Sequence, residues 1–404
     1  MCHYNRIFFA AVWIFSLLQP LWAIRPVATV SFELSGSYVV VNARINDSEL
    51  LSFIFDTGVR STILTHLSAD DQLSLTTGRR VPVVGLGAGM EVMGLVSEKN
   101  TLSLGKLKFA DRAVMALEED VLQLSEMNGR KINGLLGIDL LQGYVVEINY
   151  SRRKLLFYDT ATYQRPSKYH SRELIVENNK LYLPMTLFDS SLKIRRIKMF
   201  IDTGALLNAW FLTATKNAGE IQGPKVYARI GAGFNGDVNG YLTHIPRICI
   251  DAFCFDRPIV AFPDSAVVSE VIRRSDRDGT IGSELLSRFN LVFDLHRKKL
   301  HFTPNSSFKS PFVYNIAGIE LIQSQPPLPG YEVTAVWQNS PAEQAGVRVG
   351  DQLVGVNNES IFTLTLGTIR GIFQKPSRQP MYLVLMRDGQ RVEAHVDMRD
   401  RLQP

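Results

Sequence analysis

Residues 53–64, FIFDTGVRSTIL, set a single aspartate, Asp56, at the end of an apolar run and directly before a Thr-Gly pair. A carboxylate in such a frame is costly unless it is paired, hydrogen-bonded or protonated. The arrangement returns at residues 199–212, MFIDTGALLNAWFL, with Asp202 in the place of Asp56. The offset is 146 residues (202 − 56), and it extends beyond this triplet. VVGLGAGMEVMGLV (83–96) matches ARIGAGFNGDVNGYL (228–242), and LSLGKLKFADR (102–112) matches ICIDAFCFDR (248–257). NGLLGIDLLQGYVVEINYSRRKLLFYD (133–159) matches DGTIGSELLSRFNLVFDLHRKKLHFTP (278–304). Four elements in one order at nearly one offset identify an internal duplication.

Around these markers the chain consists of short alternating or β-branched runs split by turn residues, such as GSYVVVNARI, YVVEINY and NLVFDL, which predicts mostly β structure. A length of 404 residues predicts two to three domains. The net charge of +5 and pI near 9.0 are mildly basic. The basic residues fall in scattered pairs and triplets with no basic helix or RNA-binding aromatic signature, so nucleic acid is not an expected partner. Arg152-Arg153-Lys154 and Arg297-Lys298-Lys299 occupy equivalent hairpin turns and read as solvated turn charges. His296 and His301, five apart on one hairpin, do not share a strand face, so no metal site is expected there.

Arg6, the apolar IFFAAVWIFSLL and Ala23 predict a signal peptide over residues 1–23, with an uncleaved membrane anchor as the alternative. No second stretch is long and apolar enough to span a bilayer, so no stable membrane insertion is expected after signal cleavage. The chain reads as exported, to a bacterial periplasm or as a secreted protein. Cleavage would remove Cys2 and leave Cys249 and Cys254 in ICIDAFCF. A two-residue turn at Asp251-Ala252 would set these two opposite one another, which suits a disulfide in an oxidising compartment. Two reduced buried thiols are the alternative, and two thiols are too few for a zinc site.

Two copies of Asp-Thr-Gly in a duplicated β chain suggest two carboxylates about a pseudo-twofold axis. At a separation of about 3 Å such a pair cannot both ionise easily and shares one proton. The ionised member can take a proton from water while the protonated member polarises a carbonyl. Gly58 and Gly204 let backbone approach the carboxylates, and the hydroxyls of Thr57 and Thr203 can lock the two loops together across the axis.

On these residues the chain resembles the pepsin-like and retropepsin-like aspartic proteases over roughly residues 28–305. Further matches are the hydrophobic-hydrophobic-Gly motifs Leu135-Leu136-Gly137 and Thr280-Ile281-Gly282. The resemblance implies a bilobal acid-protease β-barrel fold, with lobes at 28–165 and 172–305, in which each Asp loop is threaded against the strand of the second motif. It implies a catalytic dyad of Asp56 and Asp202 supported by Thr57, Gly58, Thr203 and Gly204. It also implies a water nucleophile without cofactor or metal, peptide or protein substrates, and a monomeric catalytic unit. The Gly-rich segments with Gly87, Gly89, Gly231 and Gly233 stand where substrate-covering flaps would fall, plain hairpin turns being the alternative. Val59 and Ala205 follow the two motifs and no flap tyrosine is evident, so the likeness leans to a single-chain, retropepsin-like duplication.

A polar, Pro-bounded linker, PNSSFKSP, ends the duplicated part. Beyond it, residues 312–400 resemble a bacterial PDZ domain on NSPAEQAGVRVGDQLVGVNN (339–358). Gly318, Ile319, Glu320 and Leu321 resemble the carboxylate-binding loop and edge strand of that family, which implies capture of peptide tails by strand addition. A domain that only packs on the rest is the alternative. The whole implies an exported aspartic endopeptidase whose PDZ domain recognises peptide tails. Its rival is a non-catalytic peptide-binding protein of the same fold.

Overall fold

The computed structural model describes residues 25–403, apart from residues 68, 77, 88, 190–192, 213–222, 269–274 and 325–329. The segment 1–23, read above as a signal peptide, lies outside the described residues. Among the described residues no helix is long and apolar enough to cross a membrane. The chain is mostly β, and its described strands form four sheets.

The strand Leu51–Phe55 leads into Asp56. Its Leu51, Phe53, Ile54 and Phe55 are all at most 1% exposed, so apart from half-buried Ser52 it is apolar and covered on both faces. It pairs antiparallel with Tyr38–Ile45 and parallel with Gly134–Leu136, in the register Ile54↔Leu135. The strand Thr62–Leu64, which follows Asp56, pairs antiparallel with the same Gly134–Leu136, in the register Ile63↔Leu135. The second half repeats this. Gly279–Ile281 runs parallel to Ile194–Ile201 and antiparallel to Ala209–Phe211. In both halves the aspartate loop therefore leaves one side of the hydrophobic-hydrophobic-Gly strand and returns on the other. The Asp56 N–H donates to Leu136 O at 2.9 Å and the Asp202 N–H to Ile281 O at 3.1 Å.

A third sheet joins the halves. Tyr144–Asn149 and Lys154–Asp159 from the first meet Phe289–Asp294 and Lys299–Pro304 from the second, through Val146↔Phe293 and Ile148↔Leu291. These four residues are at most 1% exposed and belong to one apolar cluster that takes in both halves. Burial of this kind fixes the lobes relative to one another. The turn charges on this sheet differ in part from the expectation of free solvation. Arg297 Nη1 pairs with the fully buried Asp294 at 2.9 Å, and its Nη2 donates to Thr160 O of the other half at 2.9 Å. A carboxylate without solvent needs such a partner.

The last sheet belongs to the C-terminal segment. Ile319–Gln323 forms its edge and, among the described residues, pairs only with Tyr331–Val336. The helix Leu366–Phe373 lies beside this edge, capped by Thr365, whose hydroxyl accepts the Thr368 N–H at 3.2 Å. Its buried face is Leu366, Ile369 and Phe373, the spacing of one helical stripe. The apolar core of this segment is continuous with residues of the second half, running from Trp210, Ile230 and Val238 to Ile316, Ile319 and Leu321.

Candidate active site

The two Asp-Thr-Gly loops meet at the junction of the halves. Thr57 Oγ1 donates to Ile201 O at 2.9 Å and accepts the Thr203 N–H at 3.1 Å. In mirror fashion Thr203 Oγ1 donates to Phe55 O at 2.8 Å and accepts the Thr57 N–H at 3.0 Å. Both threonines are at most 1% exposed, so the four bonds form without competition from water. A further tie joins Ser37 Oγ to Ser283 Oγ at 2.7 Å, and Ser283 Oγ donates to Ala205 O at 2.8 Å.

This lock brings the two carboxyl groups face to face. Each Asp Oδ1 accepts the N–H of its own glycine, Gly58 to Asp56 at 2.6 Å and Gly204 to Asp202 at 2.9 Å. A methyl group on Gly58 would collide with the Asp202 carboxylate, and one on Gly204 with that of Asp56. That steric limit, not an unusual backbone angle, is why glycine stands at both positions. Asp56 is 7% exposed. The carboxyls lie close enough to interact, and burial raises both above the ordinary carboxylate range. The charge of Asp202 pushes Asp56 higher still, while bonds from the glycine N–H groups act in the opposite sense. Such a pair holds one proton between its members. Val59 and Ala205 bring no hydroxyl to it. Among the described residues no group of three or more His, Cys, Asp or Glu is placed to hold a metal ion.

The Gly-rich segments meet one another. The loop after the strand Arg80–Val83 and the turn of the hairpin Lys225–Gly233/Gly236–His244 touch tip to tip, and the contact centres on Asn235. Asn235 Oδ1 accepts the Gly85 N–H at 2.7 Å and its Nδ2 donates to Met90 O at 3.1 Å. Its backbone N–H donates to Leu86 O at 2.9 Å, and its carbonyl accepts the Gly89 N–H at 2.6 Å. Gly87, at φ +111°, and Gly233 lie so close to the opposite tip that a side chain at either would strike its backbone. Gly231 sits at a bulge within its strand and makes no such contact. Cys249 and Cys254 face one another across the hairpin turn at Asp251-Ala252 and are joined by a disulfide, apart from these contacts.

Beside the two aspartates lies an apolar wall of Val40, Ile54, Ile63, Leu122, Leu124 and Leu135, against which Tyr38, Val59 and Phe234 of the second Gly-rich hairpin pack. Burial and the nearby Asp56 and Asp202 push the phenol of half-buried Tyr38 up. Neither Tyr38 nor Asn235 stood out in the sequence. Tyr38 reads there as one more strand residue, and Asn235 as a turn former. Gly318 precedes the strand Ile319–Gln323, to which Ile319, Glu320 and Leu321 belong. The Gly318 N–H is taken by Asn315 Oδ1 at 3.0 Å.

Comparison with known proteins adds to this geometry. Residues 41–140 match the model of the aspartyl protease family, and residues 332–387 match that of the PDZ domain. No curated protein matches the chain. Among solved structures, the crystal structure of aspartic proteinase from Irpex lacteus is similar at 15% identity, with 70% of this chain and 98% of that chain covered and a TM-score of 0.43. The chain thus carries an aspartyl protease domain and, C-terminal to it, a PDZ domain, a pairing that supports a protease with a peptide-binding domain.

Proposed function

We propose that the chain is an aspartic endopeptidase that hydrolyses peptide bonds with a water activated by Asp56 and Asp202, and that its PDZ domain recognises peptide tails. The observation that carries this reading is the pair of carboxyls, Asp56 and Asp202, set symmetrically together by the Thr57–Thr203 crossing. A water between the carboxyls gives a proton to the ionised one as its oxygen attacks the carbonyl carbon. The protonated carboxyl meanwhile hydrogen-bonds the carbonyl oxygen and stabilises the charge that develops there. The tetrahedral species collapses when the amide nitrogen takes a proton from the dyad and the C–N bond breaks. A carboxyl product and an amine leave, and the dyad again holds one proton. The flap tips and the apolar wall exclude bulk water, which strengthens these interactions.

The missing hydroxyls at Val59 and Ala205 favour a mildly acidic working pH, above that of pepsins. For its place of action we propose the bacterial periplasm or the exterior, with residues 1–23 as the export signal. The Cys249–Cys254 disulfide is consistent with an oxidising compartment.

The test is replacement of each aspartate alone. Asp56→Asn and Asp202→Asn are each expected to lower kcat by about 1,000-fold or more on an internally quenched peptide pool, and the double variant to lose little further. Mixing the two single variants is expected to restore nothing, since one chain supplies both carboxyls. Wild-type protein that binds peptides but cleaves none across pH 3–8 would establish the non-catalytic reading instead.

A further inference from the structure

The peptide-binding edge of the PDZ domain is not open. Its strand Ile319–Gln323 turns one edge away from the sheet, and strand addition requires the carbonyls of that edge to accept N–H groups from an incoming peptide. In this protein two of the strand's carbonyls already accept side-chain donors. Arg370 Nη2, from the helix Leu366–Phe373, donates to Leu321 O at 3.1 Å, and Asn315 Nδ2 donates to Ile319 O at 2.7 Å. The Arg370 side chain crosses from helix to strand, over the groove in which a peptide would lie.

Beyond Arg370 the groove is closed by the protease itself. The short helix Leu124–Asn128 of the first lobe packs on Ile319–Gln323. Gly129, at its end, lies so close to the Gln323 carboxamide that a side chain there would collide with it, and Leu366 is the next neighbour. From the other lobe, Arg229 on the strand Lys225–Gly233 pairs with Glu320 at the centre of the edge, while Trp337 Nε1 holds the same carboxylate at 2.9 Å. Both lobes thus grip the strand that a ligand would need. The grip reaches the cleft, because Leu122 and Leu124 belong to the apolar wall with Ile54, two residues before Asp56, and with Phe234 of the second Gly-rich hairpin.

We infer that this edge is a peptide-docking surface occupied in cis. An extended peptide with a free carboxyl end enters between Ile319–Gln323 and Leu366–Phe373 only by displacing Arg370 from Leu321 and the segment 124–129 from Gln323. Tail capture and loosening of the cleft wall are then one event, and each favours the other by the same factor. The consequence for cleavage rests on the proteolytic reading above; the cis contact does not.

Hydrogen exchange on the full chain tests the contact without any activity assay. In Arg370→Ala, amide exchange over 319–323 and over 122–130 is expected to rise together by about tenfold or more, with 51–56 and 199–202 unchanged. Gln323→Ala, which keeps Arg370, is expected to do the same at 122–130. A rise confined to 319–323, or none in either variant, overturns the inference. The ligand probe is a fluorescein-labelled pool of decapeptides with free carboxylates, randomised over the last four positions. It is expected to bind Gln323→Ala about tenfold tighter than wild type, and in wild type to speed exchange at 122–130 while protecting 319–323. Equal affinity, binding to neither form, or protection of both segments also overturns it. Cleavage of a short quenched peptide, followed in parallel, should rise several-fold with the pool present. A protein that shows the exchange pattern yet cleaves nothing would remove the proteolytic reading and leave the cis-occupied site standing.

Discussion

The replacement Thr57→Val exchanges a hydroxyl for a methyl of nearly the same shape at a site that is 1% exposed. It removes the donor to Ile201 O and the acceptor of the Thr203 N–H, two groups that have no water to turn to. Each buried group left without a partner costs about 1–3 kcal/mol, and the extra buried methyl returns about 0.8 kcal/mol. The expected loss is therefore about 1–5 kcal/mol. Thr57→Ser keeps both bonds and gives up one methyl, for about 1 kcal/mol. The Thr203→Val loss should resemble that of Thr57→Val, because its bonds to Phe55 O and the Thr57 N–H are a symmetric pair. Because the two threonines bond each other in one network, the loss in the double variant should depart from the sum of the single losses. Urea unfolding of the five proteins, wild type and the double variant included, followed by the fluorescence of buried Trp210, reads these differences. A Thr57→Val midpoint equal to wild type, or a Thr57→Ser loss as large as that of Thr57→Val, would refute the claim that these hydroxyl bonds hold the halves in register.

Three further outcomes are expected. Because burial raises Asp56 and Asp202 above their ordinary value of 3.8, the folded state binds the extra proton, so stability is fully present below about that value and declines as pH rises through the raised pKa. Asp56→Asn or Asp202→Asn should accordingly raise Tm at pH 7 and flatten its pH dependence, and a lowered Tm would contradict this. Asn235→Ala, which cuts the side-chain bonds to Gly85 and Met90, should speed hydrogen exchange in both Gly-rich tips and lower kcat/KM by roughly threefold to tenfold; unaltered exchange would show that the backbone bonds suffice. Replacing Cys249 and Cys254 together by Ala should cost no more than about 2 kcal/mol in urea unfolding, since the bridge closes only a hairpin turn.

The duplication was legible because each half repeats short motifs in order, and the symmetry of the repeats pairs each motif with its copy, although the partners themselves lie in the other half: Thr57 bonds Ile201 and Thr203, and Gly58 faces Asp202. The disulfide was legible because a two-residue turn fixes which residues face each other. What escaped the sequence depends on distant partners that no repeat marks. Asn235 has no repeated counterpart, and its four bonds go to residues 85–90. Arg229 reads as one more scattered basic residue until Glu320, 91 positions later, is placed beside it. Arg370 and Gln323 are ordinary polar residues of a helix and a strand, and only the docking of one domain on another gives them work. Periodicity and turn chemistry are silent on such contacts.

The sheet shared by the halves also sets a timetable. Ile148 is made 143 residues (291 − 148) before Leu291, the residue it faces. At about 5–20 residues per second, its strand waits roughly 7–30 s for that partner during synthesis. Over that interval Val145, Val146 and Ile148 lie along an unpaired edge, the kind of surface on which other extended chains assemble. A nascent first half is in consequence an aggregation hazard until the second arrives, and a factor that shields extended apolar segments is expected to raise the yield of this protein.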